Sequence, residues 1–280
     1  MQWYFFKRYD IDRIDQRNDQ LIEKLSPYVN FILRNYFRST VRGIYRIPRG
    51  PGLFVGNHNA ALLTPDSYIF ATEVCERKGV QEVPYGLGHE ITISMPFIHQ
   101  FLIPLGAVRA SHDCAHRLFK QNKKVLVYPG GDYDVMRPFR HRNKIVFGGR
   151  KGYIRLAVRE NVPVIPVVTA GAHSVYIIID DMRWLARLLR LDRLFRMNVL
   201  PLTLSIPWGL TLGPLPFFIP YPSKISIEIL DPIYFNKTGE AAANDNIYVQ
   251  ECATEVESRM QAALDRMVAK AGFSPATSYQ

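Results

Sequence analysis

Cysteine is scarce in this chain of 280 residues, and the 3 cysteines that occur are widely spaced. Neither a CxxC pair nor an even-numbered framework is present, which argues against a small domain held together by disulfides. Reduced thiols in a reducing compartment are therefore expected. Such cysteines most often serve as small buried apolar groups.

Long hydrophobic runs are also missing. No stretch reaches the roughly 18 uninterrupted apolar residues that indicate a membrane-spanning helix. The nearest candidate, residues 198–222, is interrupted by proline and glycine and cannot form one regular helix. At the N-terminus, residues 1–12 have too short an apolar run for a signal peptide and lack a small-residue cleavage site.

Acidic residues are in the minority, since 25 Asp and Glu face 35 Lys and Arg, for a formal net charge of +10. Such an excess favours an anionic partner: nucleic acid, an acidic membrane surface or a phosphate-bearing substrate. No recognised nucleic-acid-binding motif accompanies the charge. Nucleic acid is therefore not expected among the partners, and a phosphate-bearing substrate and an anionic membrane surface stay open.

Hydrophobic residues make up 48% of the chain and charged residues 21%, which is enough apolar material for a sizeable core. Short apolar runs of strand length alternate with helical patterns, which predicts an α/β fold with a central, mostly parallel or mixed sheet flanked by helices. The predicted organisation is a helical segment over residues 1–43 and one α/β domain over residues 44–280.

Two amphipathic segments frame this domain. Apolar spacing predicts helix over residues 11–37, and Ser26-Pro27 reads as a cap that restarts it, which gives an N-terminal helical pair. Residues 251–270 form a terminal amphipathic helix.

The arginine-rich stretch 182–196 has two open interpretations, a helix lying at a membrane interface or an ordinary surface helix.

The stretch FVGNHNAALLTPD, residues 54–66, carries the first candidate chemistry. His58 follows the end of an apolar strand, and a carboxylate, Asp66, follows within a short loop. A histidine in such a place is either structural or a general base whose second ring nitrogen is oriented by the acid. Three later blocks also place polar or glycine residues after strands: LGAVRAS from residue 105, VYPGGDYD from residue 127 and FGGRKGYIR from residue 147.

Taken in order, these blocks resemble the phospholipid/glycerol acyltransferase family, also called the lysophospholipid acyltransferases, in the branch whose third block contains Gly-Gly. The resemblance covers about residues 50–235. The first block is matched by Asn57, His58 and Asp66, the second by Gly106 and Arg109, the third by Tyr128, Pro129, Gly130 and Gly131, with Asp134 where that branch often carries Glu, and the fourth by residues 162–168.

The resemblance implies transfer of a fatty acyl group from an acyl thioester, either acyl-CoA or acyl carrier protein, to a hydroxyl of a lysophospholipid or glycerolipid. His58 would be the general base and Asp66 its orienting acid. Neither a metal nor a resident cofactor is implied, because the thioester is a co-substrate. The expected substrate-binding residues are Asn57, Gly106, Arg109, Tyr128, Gly130, Gly131, Asp134 and Arg150.

Within that set the roles differ. The Gly130-Gly131 backbone is a candidate donor to the oxyanion of the tetrahedral intermediate, and Arg109 a candidate phosphate ligand. One departure matters, because the family spaces its histidine and aspartate by four residues whereas seven separate His58 from Asp66. A catalytically silent, acyl-lipid-binding member of the same fold is therefore the alternative.

The expected location is cytoplasmic, with the protein attached peripherally to the inner face of the membrane. Two segments are candidates for that contact: residues 182–196, with Trp184, Leu188, Leu189 and Phe195 as the insertable face, and the Pro-rich residues 199–222. His112 and His116 share a helical face, but no second ligand pair with metal-site spacing is evident, so no metal is expected.

Overall fold

The computed structural model describes residues 9–58, 64–191, 193, 199–213 and 218–270. Ten α-helices are described in these ranges: α1 Asp19–Tyr36, α2 Pro65–Lys78, α3 Glu90–Ser94, α4 Ile98–Leu102, α5 His112–Lys120, α6 Gly131–Val135, α7 Gly152–Glu160, α8 Arg183–Leu188, α9 Glu240–Asn244 and α10 Asn246–Lys270.

Ten strands accompany them, and they form two sheets. The strands are β1 Thr40–Arg42, β2 Gly52–Gly56, β3 Tyr85–Gly88, β4 Ala107–Arg109, β5 Lys124–Val127, β6 Val164–Ala170, β7 Ile177–Asp180, β8 Leu202–Ser205, β9 Gly209–Leu212 and β10 Ser226–Ile229. The central sheet has the order β1-β10-β6-β2-β5-β3-β4, and β7, β8 and β9 form a small antiparallel sheet.

The central sheet is mixed. Strands β6, β2, β5, β3 and β4 run parallel, whereas β10 is antiparallel to β6 and parallel to β1. The α/β class and the mixed sheet flanked by helices, both predicted, are confirmed. Because the carboxyl ends of the five parallel strands share one edge, that edge is where an α/β protein of this type binds ligands.

The strand residues alternate between two cores, as the period of a pleated strand requires. Leu53 and Val55 of β2 face a layer built from α5, α7 and α10. Phe54, between them, faces the opposite layer, which holds α1, α2 and the small sheet. The buried strands therefore read as continuous apolar runs, which is typical of a sheet covered on both faces.

The N-terminal segment differs from the prediction. Among the described residues it has a single helix, α1, which begins after its cap Asn18 and continues through Pro27. The preceding residues instead run beside β4, the outermost strand of the central sheet. The Arg109 N–H donates to the Ile11 carbonyl at 2.8 Å, and the Asn18 N–H donates to the Pro104 carbonyl at 2.8 Å. Residues 1–8 lie outside the described residues.

Strand β1 also belongs to that predicted segment, and it pairs with β10. The boundary between residues 43 and 44 stays a prediction. The expected terminal helix is confirmed as α10, which begins five residues earlier than expected, at Asn246. Among the described residues, no helix combines the length and the apolarity needed to cross a bilayer.

Replacing Pro27 with alanine is expected to raise the free energy of unfolding. A proline inside a helix removes one backbone hydrogen bond and costs up to about 3 kcal/mol relative to alanine. Pro27 is exposed and lies within α1, so alanine leaves no cavity. Thermal unfolding followed by circular dichroism measures the change. Lys24→Ala, also exposed on α1, is the matched control and should shift the midpoint little. A lower midpoint for Pro27→Ala would contradict the expectation.

Candidate active site

Asn57 fixes the end of β2 at the ligand-binding edge of the sheet. Its side chain is fully buried, and its amide Nδ2 donates to the Thr169 carbonyl at 2.9 Å. Its Oδ1 accepts from the Thr169 N–H at 2.8 Å. These paired bonds extend the β2–β6 pairing by one residue beyond the strand and set the backbone direction into His58.

Both backbone groups of His58 are held by a neighbouring segment. Its N–H donates to Asp134 Oδ2 at 2.5 Å, and its carbonyl accepts from Arg137 Nη1 at 3.1 Å. The imidazole lies against the ring of Tyr128, with 4.5 Å between ring centroids. His58 is half-buried, so its ring is positioned by the protein and still accessible from the edge.

Asp134 and Arg137 form a buried ion pair beneath this edge, with 0% and 2% of their side chains exposed. Arg137 also donates to the carbonyls of Asp134, His141 and Arg142. Burial raises the pKa of Asp134 to about 7, and the Arg137 charge and the His58 N–H oppose that rise. The carboxylate thus holds His58 and Arg137 in place, and its predicted contact with substrate stays a prediction.

Asp66 reaches the same site despite the long spacing. It is the second residue of α2 and is almost fully buried. Burial raises the pKa of the Tyr128 hydroxyl well above its ordinary value, and the negative charge of Asp66 adds to that rise. Asp66 and His58 therefore both lie near Tyr128. Residues 59–63, which connect them, are outside the described residues.

The glycines at this edge allow close packing. A side chain on Gly56 would overlap the Tyr128 ring, one on Gly130 would overlap Asp134 and the Val146 carbonyl, and one on Gly131, at φ +50°, would overlap Arg150. The Gly131 N–H donates to the Tyr128 carbonyl at 3.4 Å. An oxyanion role for Gly131 therefore requires that bond to open, and the role of the Gly-Gly pair stays a prediction.

Arg150 lies over this turn. Its Nη1 donates to the Gly130 carbonyl at 2.9 Å, and its guanidinium carbon is 5.4 Å from the centre of the Tyr133 ring. The side chain is exposed at the rim. This cation is thus placed next to the end of β5 and the start of α6, where an anionic part of a substrate could reach it.

Arg109 lies further along the same edge. Arg109 pairs with Gly88 of β3, and the register continues through β5 to Gly56 at the end of β2. Three strand spacings separate Arg109 from Gly56, so their Cα atoms lie about 14 Å apart. Its guanidinium pairs with Asp12 at 3.0 Å and Glu90 at 3.6 Å. Two carboxylates already balance the charge that was predicted to bind phosphate.

Gly106 lies at the opposite end of the parallel strands from His58. It precedes β4, and the strand register aligns it with Leu53, about 16 Å back along the strand direction from His58. Its φ is +97°, and a Cβ there would lie 3.0 Å from Arg17 Cδ. Gly106 therefore serves a tight turn against Arg17, and its position does not support the predicted contact with substrate.

Two residues at this edge, Arg137 and His173, are not among the predicted site residues. Arg137 belongs to the basic run of residues 137–155, for which phosphate binding, contact with anionic lipid and a solvated face are all open interpretations from the sequence, but its side chain is buried. His173 lies behind it and donates from Nε2 to the Arg137 carbonyl at 2.8 Å. Burial and the Arg137 charge lower the pKa of His173 well below its usual value, so it is neutral at pH 7. The i, i+3 spacing of Asp134 and Arg137 is the signal that could have identified the pair.

Potential metal ligands do not converge in the described part of the chain, where no group of three or more His, Cys, Asp or Glu could hold an ion. The His112 and His116 rings approach different partners: Arg159 at 3.4 Å and Glu160 at 2.7 Å.

Comparison with known proteins identifies the family. A family model described as diacylglycerol acyltransferase matches residues 1–277, so the chain belongs to the diacylglycerol acyltransferase family. The prediction of a glycerolipid acyltransferase family is thereby confirmed, and its Gly-Gly branch stays a prediction.

Individual relatives are distant. An uncharacterized protein of Mycobacterium tuberculosis is 27% identical over 244 residues, which cover 87% of this chain and 65% of that protein. The chain thus spans slightly less than two thirds of this relative's length. Human diacylglycerol O-acyltransferase 2 is 25% identical over 159 residues, which cover 48% of this chain and 40% of the human protein.

A solved structure shares the fold. The 1-acyl-sn-glycerophosphate acyltransferase PlsC from Thermotoga maritima superposes with a TM-score of 0.55, covering 89% of this chain and 79% of that chain at 17% identity. At that identity the likeness establishes the architecture alone.

The buried pair should show strong energetic coupling. At pH 8, above the pKa of Asp134, Asp134→Asn leaves Arg137 buried without its counter-ion and is expected to lower the free energy of unfolding by about 3–5 kcal/mol. Arg137→Met should cost a similar amount, and the double variant clearly less than the sum. Urea unfolding of the three variants and the parent measures this cycle. Additive effects would show that the pair does not act as a unit.

Proposed function

We propose that this protein is an O-acyltransferase that moves a fatty acyl group from an acyl thioester to a hydroxyl of a glycerolipid or lysophospholipid, with His58 as general base. The donor is acyl-CoA or acyl carrier protein. The observation that carries the proposal is the fixing of His58 at the carboxyl end of β2, with both backbone groups bonded to Asp134 and Arg137. Membership of the diacylglycerol acyltransferase family supports the same reaction class.

The reaction needs a base because an alcohol is a weak nucleophile. In the proposed sequence His58 takes the hydroxyl proton as the alcohol oxygen attacks the thioester carbonyl, and the oxygen–carbon bond forms. The tetrahedral intermediate then collapses, the carbon–sulfur bond breaks, and the proton on His58 passes to the departing thiolate. The proton is thus returned within one cycle, and no acyl-enzyme is required.

The surroundings of His58 favour this use of the ring. A base is effective only when it is held in reach of the proton it removes, and here the backbone bonds and the Tyr128 ring limit its orientations. Asp66, in the first turn of α2, would fix the imidazole tautomer and stabilise the imidazolium. Ser67 Oγ and the Tyr128 hydroxyl, 2.6 Å apart, hold that helix turn against the aromatic wall.

The proposed location is the cytoplasmic face of the membrane, with peripheral attachment. The acceptor is a lipid, so the active-site edge must reach a bilayer. The net charge of +10 favours a membrane that carries anionic headgroups.

Removing the base is expected to nearly abolish transfer. His58→Ala should lower kcat by on the order of 100- to 10,000-fold, and Asp66→Asn by a smaller but large factor. The assay uses purified protein, labelled acyl-CoA, a glycerolipid or lysophospholipid extract, and mass spectrometry of the product. His112→Ala, remote on α5, is the control.

Wild-type turnover by a folded His58→Ala protein would exclude His58 as the base. Absence of turnover in the parent, with acyl-lipid binding retained, would favour the catalytically silent alternative.

Replacing Arg109 tests whether this residue binds a substrate phosphate or only stabilises the fold. If it contacts a phosphate of donor or acceptor, Arg109→Ala raises KM more than it lowers kcat, since such a contact is made in both ground and transition states. Steady-state kinetics on donor and acceptor separate the two parameters. Asp12→Ala, which removes one of its ion-pair partners, should leave KM unchanged or lower it. An unchanged KM for both substrates of Arg109→Ala, with a lower melting temperature, would assign Arg109 to the structure.

A further inference from the structure

The small antiparallel sheet has its polar and apolar faces reversed relative to a water-facing sheet. In β8, Thr203 and Ser205 are buried, whereas Leu204 between them is 38% exposed. In β9, Leu210 and Leu212 are 62% and 53% exposed. Leu204, Leu210 and Leu212, here called the outer leucine face, therefore point away from the protein while hydroxyl groups point inward.

The reversal is fixed by hydrogen bonds. The Tyr176 hydroxyl donates to Thr203 Oγ1 at 3.0 Å, and Thr203 Oγ1 lies 2.9 Å from Thr211 Oγ1. A slip of one residue would bury the leucines and expose these hydroxyls, since strand side chains alternate between faces. The inward hydroxyl network therefore holds the leucines on the surface.

Aromatic and aliphatic groups extend the outer leucine face. Trp208, in the turn between β8 and β9, is 56% exposed, and Ile206 beside it is 42% exposed. Trp184 and Leu188 of α8, the helix that follows β7, are also exposed. A contiguous apolar surface such as that of the β8–β9 hairpin marks an interaction site, and tryptophan is enriched where hydrocarbon meets lipid headgroups.

Exposed arginines accompany the face. Arg183 pairs with Asp181 at 2.7 Å. Arg187, Arg190 and Arg193 are exposed, and in the part of the chain that the structure describes no carboxylate pairs with them. Their charge is thus available to anionic phosphate groups, and their long stems can follow an apolar surface.

The residues after β8 are connected to α1. An isolated bridge joins Ile206 to Ile219, and the Tyr36 hydroxyl donates to the Pro220 carbonyl at 2.6 Å. These contacts link Ile206 to the C-terminal end of α1, a helix that also exposes Tyr28, Phe31 and Ile32. The helix and the small sheet lie on the same side of the central sheet.

The predicted membrane segment 182–196 contributes only in part. The helix α8 ends at Leu188, and Arg190 has a φ of +53°, so the described residues do not form one continuous helix through this stretch. Phe195, one of the residues expected to insert, lies outside the described residues. The strands β8 and β9 lie within the second predicted segment, residues 199–222, and carry exposed apolar side chains there.

We infer that the outer leucine face docks on an anionic phospholipid bilayer, with Leu204, Leu210, Leu212 and Trp208 entering the boundary of the acyl chains. The exposed charges of Arg187, Arg190 and Arg193 favour a bilayer over a second copy of this cationic chain, because two such faces would repel each other. This inference deepens the proposed function, on which it rests for the biological need to reach lipid. The ion pair between Arg140 and Asp180, 3.2 Å apart, links β7 to the turn that follows Arg137, so docking would hold the catalytic edge near the membrane.

Vesicle flotation tests the inference without any catalytic step. The parent is expected to float with vesicles of mixed phosphatidylcholine and phosphatidylglycerol and much less with phosphatidylcholine alone. Leu204→Thr/Leu210→Thr/Leu212→Thr, which keeps strand propensity, should weaken partitioning by on the order of tenfold or more. Tyr234→Thr/Ile247→Thr, at two exposed apolar positions outside this face, is the matched control and should bind as the parent does.

A second measurement locates the contact. The variant Trp3→Phe/Trp184→Phe retains Trp208 as its one tryptophan, since the chain has 3. Its fluorescence should shift to shorter wavelength on the mixed vesicles and be quenched by lipids brominated on the acyl chains. An unquenched Trp208 on bound protein, or triple-variant binding equal to that of the parent, would overturn the inference.

Light scattering and a detergent assay distinguish bilayer docking from a subunit interface and from the proposed reaction. A parent that fails to bind vesicles but forms a dimer in light scattering, lost in the triple variant, would make the face a subunit interface and overturn the inference. Transfer to a detergent-dispersed acceptor tests the proposed function independently. Binding without transfer supports the docking face and contradicts the enzyme, whereas transfer in detergent without vesicle binding does the reverse.

Discussion

The buried contact between Asp134 and Arg137 is the interaction on which the geometry of the site depends. One carboxylate oxygen accepts from the His58 N–H, and the guanidinium bonds to the His58 carbonyl and to three further carbonyls. Neither group is exposed enough to be solvated by water, so each needs the other. Removing either would release the backbone that aims the imidazole.

The same contact explains the glycines of the third sequence block. Gly130 brings α6 close enough for Asp134 to reach β2, because any side chain there would overlap Asp134 itself. Gly56 lets the Tyr128 ring lie against the end of β2. The Gly-Gly motif thus has a packing role that stands apart from any donation to an oxyanion.

Much of the scaffold could be predicted from the sequence, since β2, β5 and β6 are short continuous apolar runs and the long helix α10 has a clear helical periodicity. The position of His58 at a strand end followed from the same pattern. Arg137 could not be placed, because a buried arginine and an exposed one look alike within a basic run. The location of Gly106 could not be predicted either, because its motif indicates a turn but not at which end of the parallel strands that turn lies.

Two further features, the proline within α1 and the orientation of the strand β8, could not be predicted from local sequence rules. Pro27 reads as a helix boundary by local rules, yet α1 continues through it because its face packs on α2 and Asn30 donates to Glu76 at 2.7 Å. In β8, the alternation of leucine with threonine and serine specifies a strand but not which side faces the protein. That choice is made by Tyr176, a residue distant in sequence, whose hydroxyl bonds to Thr203. The polarity of this sheet is thus set by a tertiary contact, and so is the exposure of the outer leucine face.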